Sequence, residues 1–291
     1  MGGCGIESHF LSFSISSPDH LINKGFLNAS SFLLPFRPRN LKALCCKKEH
    51  LEIPFVAGAS MDEIYDILST KIISSISLPN AFTQNRLIIG LAGPPGAGKS
   101  TIASEVANRV NDLCPKSVRK KETEVAVVLP MDGFHLYRSQ LDAMEDPEEA
   151  HARRGSPWTF NPHLLLNCVK KLREGRVASA PSFSHGIGDP VENDVVIGEN
   201  HKVVIIEGNY LFIDDEIWHE ISVLLDQRWF VEVGIDSAMR RVLRRHISTG
   251  KTPDVAAWRI EYNDRPNAEL VMKSKKNADL VIRSVEIEVR R

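Results

Sequence analysis

The sequence lacks the features that mark membrane, nucleic-acid-binding and disulfide-stapled proteins. No apolar run in its 291 residues approaches the roughly 20 residues of a membrane-spanning helix. The formal net charge is −1, so no overall field attracts nucleic acid or a membrane surface. The five cysteines form no C-x-x-C pair, and no cysteine and histidine spacing suits a structural metal. We therefore expect a globular enzyme of a reducing compartment, without a nucleic-acid or membrane partner; its oligomeric state, a homo-oligomer included, stays open.

Acidic residues are scarce near the N-terminus. Residues 1–48 contain two acidic and six basic residues, and serines cluster between positions 8 and 31. Glycine, proline and isolated aromatic residues break any periodicity. Such a composition is typical of an organelle transit peptide. We predict a transit peptide or a disordered extension at residues 1–57. The predicted location is the plastid (chloroplast), with the mitochondrion or the cytoplasm as alternatives.

From residue 60 onward, short apolar runs alternate with amphipathic segments. Ser60 and Glu63 form a capping box before a helix, and Asp236 is expected to cap a basic helix that runs to His246. Five apolar runs predict buried strands: Leu87–Ala92, Val125–Leu129, Val203–Ile206, Trp229–Val233 and Ala278–Ile282. An alternating stretch at 285–289 predicts an edge strand. Strands separated by helices indicate a mostly parallel sheet, in which ligands bind at the carboxyl ends of the strands.

The stretch GPPGAGKS at residues 93–100 matches the phosphate-loop pattern G-x-x-x-x-G-K-[ST] completely. It follows the strand Leu87–Ala92 and opens a helix at Lys99, as phosphate binding requires. Lys99 would reach the β and γ phosphates, and the Ser100 hydroxyl would bind Mg²⁺. The predicted nucleotide-binding residues are Gly93, Pro94, Pro95, Gly96, Ala97, Gly98, Lys99, Ser100 and Thr101. We therefore expect the chain to use ATP and Mg²⁺.

The absence of a guanine-binding motif argues against one class of nucleotide-binding protein, the GTPases. The guanine-reading pattern N-K-x-D is lacking, because the Asn-Lys pair at 23–24 continues with Gly-Phe. An arginine-rich helix late in one compact domain also fits the lid of a kinase better than a motor protein. A kinase is therefore favoured over a GTPase or an ATPase motor.

Glu207 directly follows the buried run at 203–206. A carboxylate at the end of a strand beside the phosphate-loop strand stands where a Mg²⁺ ligand belongs. Glu207 would reach one methylene further than the more usual aspartate, and Gly208 lets the backbone turn away at once. Ser100 and Glu207 are therefore the predicted metal ligands. The structural alternative for Glu207 is a surface ion pair.

An ordered set of motifs carries a resemblance to a known family. GPPGAGKST, PMDGFH, RRGSPWTFN, PSFSH, VVIIEGNYL and RRVLRRH occur in this order between Leu87 and Ala278. Together they resemble the family of uridine kinase, phosphoribulokinase and bacterial-type pantothenate kinase. The resemblance implies an α/β fold of the kinase-type P-loop NTPase class, with a parallel five-stranded sheet, helices on both faces and a helical lid. It implies one kinase domain at residues 60–291, with the lid at about 236–252.

Asp132, in the motif PMDGFH, follows the second predicted strand. Its position and the resemblance both imply the carboxylate that takes a proton from an acceptor hydroxyl, although an aspartate there is also a good helix cap. The resemblance implies further contacts with the acceptor. The predicted acceptor-binding residues are Asp132, His135, Arg154, His185, Tyr262 and Asn263.

Four arginines of the predicted lid helix pair at i and i+4: Arg240, Arg241, Arg244 and Arg245. Like charges at this spacing repel, and the phosphate oxygens of ATP would relieve that repulsion. We expect Arg240, Arg241 and Arg245 to bind the nucleotide. Arg244 is expected to act in catalysis with Lys99 and Asp132. The alternative is a solvated basic helix face.

These residues predict an ATP-dependent phosphotransferase with an alcohol group as acceptor. The motif RRVLRRHISTGKT resembles uridine kinases, so a uridine-like or cytidine-like nucleoside is the expected acceptor. The stretch from RRGSPWTFN to PSFSH resembles pantothenate kinases, which leaves pantothenate or a sugar-like alcohol as alternatives. An ATPase switch or a regulatory protein without an acceptor is a further alternative. Asp132 argues against that class, because such a protein needs no base at this position.

Overall fold

The structure is a computed structural model that describes residues 52–77, 86–115, 123–184 and 186–285. By its internal contacts the chain divides into two units, Met1–His50 and Leu51–Arg291, and every described residue belongs to the second. Nearly all of the predicted transit peptide, and all but the first residue of the predicted edge strand at 285–289, lie outside the described residues. No described helix is both long and apolar enough to span a bilayer.

The central sheet of the described residues has six parallel strands, in the order β1-β8-β7-β2-β6-β3. The strands are β1 (Phe55–Val56), β2 (Leu87–Ala92), β3 (Ala126–Pro130), β6 (Val203–Gly208), β7 (Gln227–Glu232) and β8 (Leu280–Arg283). The expectation of five strands is therefore corrected. The additional strand is β1, two residues that pair with Val281 and Ile282 at the edge of the sheet. Such a short stretch has no periodicity that sequence reasoning would detect.

Helices cover both faces of this sheet. They are α1 (Met61–Ile76), α2 (Lys99–Leu113), α3 (Arg138–Asp142), α4 (Pro147–Ala152), α5 (Pro162–Arg173), α6 (Glu216–Val223), α7 (Ile235–Ser248), α8 (Pro253–Arg259) and α9 (Arg265–Lys273). Alternate residues of a strand face opposite sides of a sheet. Accordingly, Ile89 packs into a core cluster with α1 and α2, whereas Ile88 packs into another with α5 and α6. Burial on both faces explains why the strand sequences are continuously apolar.

Two of the predicted helix starts have different outcomes. Ser60 caps α1 as predicted, since its hydroxyl accepts a hydrogen bond from the Glu63 N–H at 3.2 Å. The prediction that Asp236 caps the basic helix is wrong, because α7 begins at Ile235 with Gly234 at the cap. Asp236 lies in the first turn and pairs with Arg265 at 2.9 Å. An acidic residue in the first turn still complements the helix dipole.

A two-stranded antiparallel hairpin, β4 (Ala178–Ser184) and β5 (Asp189–Ile197), lies outside the central sheet. Its register shifts between Ala180 and Ser182, at the position of Pro181. Proline is tolerated in a strand at an edge or a bulge. The hairpin packs beside the turn that carries Asp132, so it forms one wall next to the functional site.

Candidate phosphoryl-transfer site

The candidate site is a cleft of about 310 Å³ where β2, β6 and β3 end. These strands are neighbours in the parallel sheet, so their carboxyl ends meet at one edge. The phosphate loop follows β2, Glu207 is at the end of β6, and Asp132 comes just after β3. All of them line the cleft, together with Arg241 and Arg245 of α7. The fold thus brings together the predicted phosphate, metal and proton-accepting groups.

The phosphate loop is shaped by close contact with α7. Gly96 has φ +79°, and a Cβ added there would lie 2.4 Å from the Ala238 carbonyl oxygen. Glycine is favoured at such a position for both its backbone angle and its lack of a side chain. Lys99 is buried below the loop and donates a hydrogen bond to the Pro94 carbonyl at 3.1 Å. Burial lowers the pKa of Lys99, while the charges of Glu207 and Asp132 oppose that shift. The loop therefore places the Lys99 side chain in a cradle shaped for phosphate.

Ser100 and Glu207 meet at the floor of the cleft. The Ser100 hydroxyl donates to Glu207 Oε1 at 3.0 Å. Burial raises the pKa of Glu207, Lys99 opposes the shift, and Asp132 adds to it. A hydroxyl and a buried carboxylate beside a phosphate loop suit Mg²⁺, which prefers oxygen ligands and keeps several waters or phosphate oxygens. The residues present therefore fit the metal that was predicted from the sequence, and they are the ones that would hold it.

Asp132 lies in a short 3₁₀ turn, Met131–Phe134, that the hairpin holds in place. A Cβ added to Gly133 would lie 1.8 Å from the Pro181 carbonyl oxygen, so the turn touches the backbone of β4. Phe134 anchors the turn in the core. His135 Nδ1 lies 2.8 Å from the Asp132 carbonyl oxygen. The Asp132 carboxylate is therefore presented to the cleft on a fixed backbone.

An aromatic group lies directly beside this turn. The His135 ring centroid is 3.9 Å from that of Phe160 and 4.8 Å from that of Phe183. The Arg154 guanidinium stacks over Phe183 at 5.5 Å. Two of the predicted acceptor-binding residues, His135 and Arg154, thus both contact Phe183, and His135 also contacts the Asp132 backbone.

Arg154 also connects the hairpin to the turn. It donates to the Gly188 carbonyl at 2.5 Å and the Leu136 carbonyl at 2.9 Å, and it pairs with Asp189 at 3.1 Å. These contacts give Arg154 a clear structural function. Its binding of an acceptor stays a prediction.

Tyr262 and Asn263 lie in a π-helical turn, Ile260–Asp264, and neither lines the cleft. Tyr262 stacks on Trp258 with centroids 5.0 Å apart, and its hydroxyl donates to Glu149 at 2.5 Å. Asn263 is buried, accepts a hydrogen bond from Ser156 at 3.1 Å and donates to the Arg154 carbonyl at 3.0 Å. Their contacts are structural, and their acceptor-binding roles stay predictions. His185 lies outside the described residues.

The four lid arginines point to different surroundings. Arg241 and Arg245 line the cleft, and Arg241 donates to the Gly96 carbonyl at 3.3 Å. Arg244 lines a neighbouring cleft instead. Arg240 donates to Ser237 at 2.6 Å and borders a groove between α7 and α8. The geometry therefore places Arg241 and Arg245, but not Arg244, in the cleft with Lys99 and Asp132.

Asn209 lines the cleft as well, although it was not among the predicted site residues. The sequence feature that could have indicated Asn209 is its position two residues after Glu207, in the motif VVIIEGNYL. A polar side chain so close to a strand end at the nucleotide edge of the sheet is a candidate for contact with substrate.

Known proteins resemble the chain in both sequence and structure. A family model described as "Phosphoribulokinase / Uridine kinase family" matches residues 88–289. A Schizosaccharomyces pombe protein named "Putative uridine kinase" is 35% identical over 209 residues, which cover 70% of this chain and 86% of that protein. An Aspergillus versicolor protein named "ATP-dependent kinase-like protein" is 42% identical over 152 residues, covering 50% and 88%. The solved structure of a "putative fructose transport system kinase" from Silicibacter sp. TM1040 aligns with a TM-score of 0.64 and 26% identity, covering 75% of this chain and 98% of that one.

Proposed function

The chain belongs to the phosphoribulokinase and uridine kinase family, and from this premise we propose that it transfers the γ-phosphate of ATP to a hydroxyl of a pyrimidine nucleoside. Membership makes it an ATP-dependent P-loop kinase. The acceptor and the assignment of roles to residues are our proposal.

The observation that carries the proposal is the position of Asp132 in the same cleft as Lys99, Ser100 and Glu207. Phosphoryl transfer depends mostly on positioning and charge stabilisation. Lys99 would neutralise charge on the transferred phosphate, and Asp132 would accept the proton of the attacking hydroxyl. Ser100 and Glu207 would hold Mg²⁺, which would supply positive charge to offset the charge of the phosphates.

A pyrimidine nucleoside suits the aromatic group beside Asp132. The half-buried rings of His135 and Phe183 lie 4.8 Å apart, and the His135 ring contacts the backbone carbonyl of Asp132 at 2.8 Å. Flat bases stack favourably on aromatic side chains. The name of the Schizosaccharomyces pombe relative supports the same acceptor class.

A sugar-like alcohol is the second candidate acceptor. The name of the Silicibacter structure refers to a fructose transport system, and that chain is covered almost completely by the alignment. Polar groups that bond sugar hydroxyls would then matter more than stacking. Asn209, at the cleft, is a group of that kind.

An acceptor screen tests the proposal directly. Protein without residues 1–50 is incubated with ATP and Mg²⁺ and each of uridine, cytidine, pantothenate and a panel of sugars, and both ADP and phosphorylated product are measured. We expect the highest kcat/KM with uridine or cytidine. A preference for sugars would support the second candidate, and ADP production that is equal with and without acceptors would support an ATPase.

The Asp132→Asn variant tests the assignment of the base. The amide preserves the size of the side chain but removes the proton acceptor, so transfer should fall by about 10²- to 10⁴-fold. The dissociation constant for ATP should change little, because the phosphate loop is intact. Product formation close to wild type would refute the role of Asp132.

A further inference from the structure

A second cleft of about 350 Å³ lies beside the phosphate loop. It shares Gly98, Thr101 and Arg241 with the main cleft, but its other walls are different. Its further lining comes from α1, the phosphate loop and α2, α7 and the segment after β8: Met61, Tyr65, Ala97, Ile102, Arg244, Ser284 and Val285. A volume in this range is typical of small-molecule sites.

The chemistry of the main cleft indicates what the second cleft would hold. ATP is a linear chain of three phosphates with the nucleoside at the end opposite the γ-phosphate. The γ-phosphate must point to Asp132 for transfer, so the nucleoside must leave the phosphate loop in the other direction. The second cleft begins at Thr101, the residue after the predicted Mg²⁺ ligand Ser100, and neither Asp132 nor Glu207 lines it. It therefore lies where the donor nucleoside would emerge.

We propose that α1 forms part of the donor-nucleoside site and that Met61 contacts the base. This inference rests on the proposed function in that the donor is ATP. Helix α1 ends before the family match begins at residue 88, so it contributes residues from outside the matched region.

Helix α1 is fixed firmly enough to act as a wall. Arg109 of α2 bonds Asp62 and Asp66 at 2.6 Å each. Leu68 is fully buried in the same core cluster as α2. The Val285 N–H lies 3.5 Å from the Met61 sulfur, so Met61 also contacts the segment that follows the last strand. A rigid wall needs no ordering when a ligand binds, which favours affinity.

The side chains of this wall suit an aromatic base. Met61 is half-buried, and its polarisable thioether makes favourable contacts with aromatic rings. Arg244 lines the same cleft, is exposed, and makes no hydrogen bond or ion pair with another described residue. A guanidinium group can stack on an aromatic plane. Arg244 would then bind the nucleoside end of ATP rather than the transferred phosphate.

The Met61→Ala variant is tested with two ligands, one with a base and one without. A lost base contact weakens binding of the first ligand only, whereas a general effect on the fold weakens binding of both. In the full-length protein, the dissociation constants of MgATP and of magnesium tripolyphosphate are measured by calorimetry. Loss of the half-buried methionine side chain should weaken MgATP binding by about fivefold to tenfold, with tripolyphosphate binding unchanged. The control is Ile67→Ala, an exposed α1 position outside the cleft, which should leave both constants unchanged.

Equal loss of both affinities, or no loss of either, in Met61→Ala would overturn the proposal. If that variant does not fold, photolabelling of the wild type with 8-azido-ATP gives the answer: label within the second cleft that includes residues 61–65, removed by excess ATP, supports the site, and label only outside that cleft overturns it. Neither measurement uses an acceptor. A failed acceptor screen would therefore leave the donor-nucleoside site intact. Wild-type protein that binds tripolyphosphate as tightly as ATP would overturn that site while leaving the kinase assignment intact.

Discussion

At the scale of single residues, Gly133 determines where the Asp132 carboxylate lies. A Cβ at this position would be 1.8 Å from the Pro181 carbonyl oxygen and 2.5 Å from its carbon, and neither is a flexible side-chain atom. The turn must therefore shift in a Gly133→Ala variant. A misplacement near 1 Å costs about 10²-fold in rate, so kcat should fall by about that factor while the dissociation constant for ATP stays near wild type.

The control for this change is Gly234→Ala, because an added Cβ there meets no described atom within 4 Å. Turnover, ATP affinity and thermal unfolding are measured for both variants. The control should match wild type in all three. A folded Gly133→Ala protein with wild-type turnover would show that the close contact with β4 does not position Asp132.

Residues with local signals were predictable from the sequence, and residues defined by distant partners were not. Asp132 and Glu207 could be selected because each lies at the carboxyl end of a buried strand, two residues after β3 and within the last two residues of β6. The contacts of Arg154 with Gly188 and Asp189 span more than 30 positions and exist only once the hairpin is folded. Sequence reasoning therefore found Arg154 but had no signal for its partners.

At the scale of elements, α7 distributes its arginines over different surfaces. Consecutive residues on a helix are about 100° apart, so Arg244 and Arg245 cannot face the same site. Arg245 lines the cleft with Lys99, whereas Arg240 borders the groove between α7 and α8. Arg245→Ala should lower kcat by about 10²-fold through the loss of one charge-stabilising donor.

Arg240→Ala removes the same charge from the same helix outside both clefts of the phosphate loop, which makes it the matched control. Its kcat should stay within about twofold of wild type, because a surface charge at this distance is screened by solvent. Steady-state kinetics at saturating ATP measure both variants. Equal losses in the two would indicate that the net charge of α7, and not the position of Arg245, supports transfer.

The hairpin β4–β5 shows which elements the sequence leaves unpredicted. Pro181 and a register shift interrupt β4, and β5 has no clean alternation of apolar and polar residues. The central strands were predicted because they are buried on both faces and read as continuous apolar runs. The hairpin contacts the Asp132 turn and Arg154 and buries Ala178, Ala180 and Ile197 in a core cluster, and these contacts depend on the tertiary fold.

At the scale of the whole molecule, the described domain begins before α1. Phe55 and Val56 add β1 to the sheet, the Pro54 carbonyl accepts a hydrogen bond from Val281 at 2.9 Å, and the Arg283 guanidinium lies 3.9 Å from the Phe55 ring centroid. The predicted extension at 1–57 therefore contains residues that take part in the sheet. The sequence could not reveal this, since a two-residue strand depends on its partner β8 for definition.

Two truncations locate the start of the stable domain. A chain of residues 51–291 keeps β1 and should unfold at the same temperature as the full chain. A chain of residues 58–291 loses the β1–β8 pairing and should unfold about 5 °C lower, as expected for a loss of about 2 kcal/mol in a domain of this size. Both should retain wild-type kcat, because β8 and β7 separate β1 from the phosphate-loop strand β2. Differential scanning calorimetry and the acceptor assay check these outcomes, and equal melting temperatures for the two truncated chains would show that β1 adds nothing measurable to the stability of the sheet.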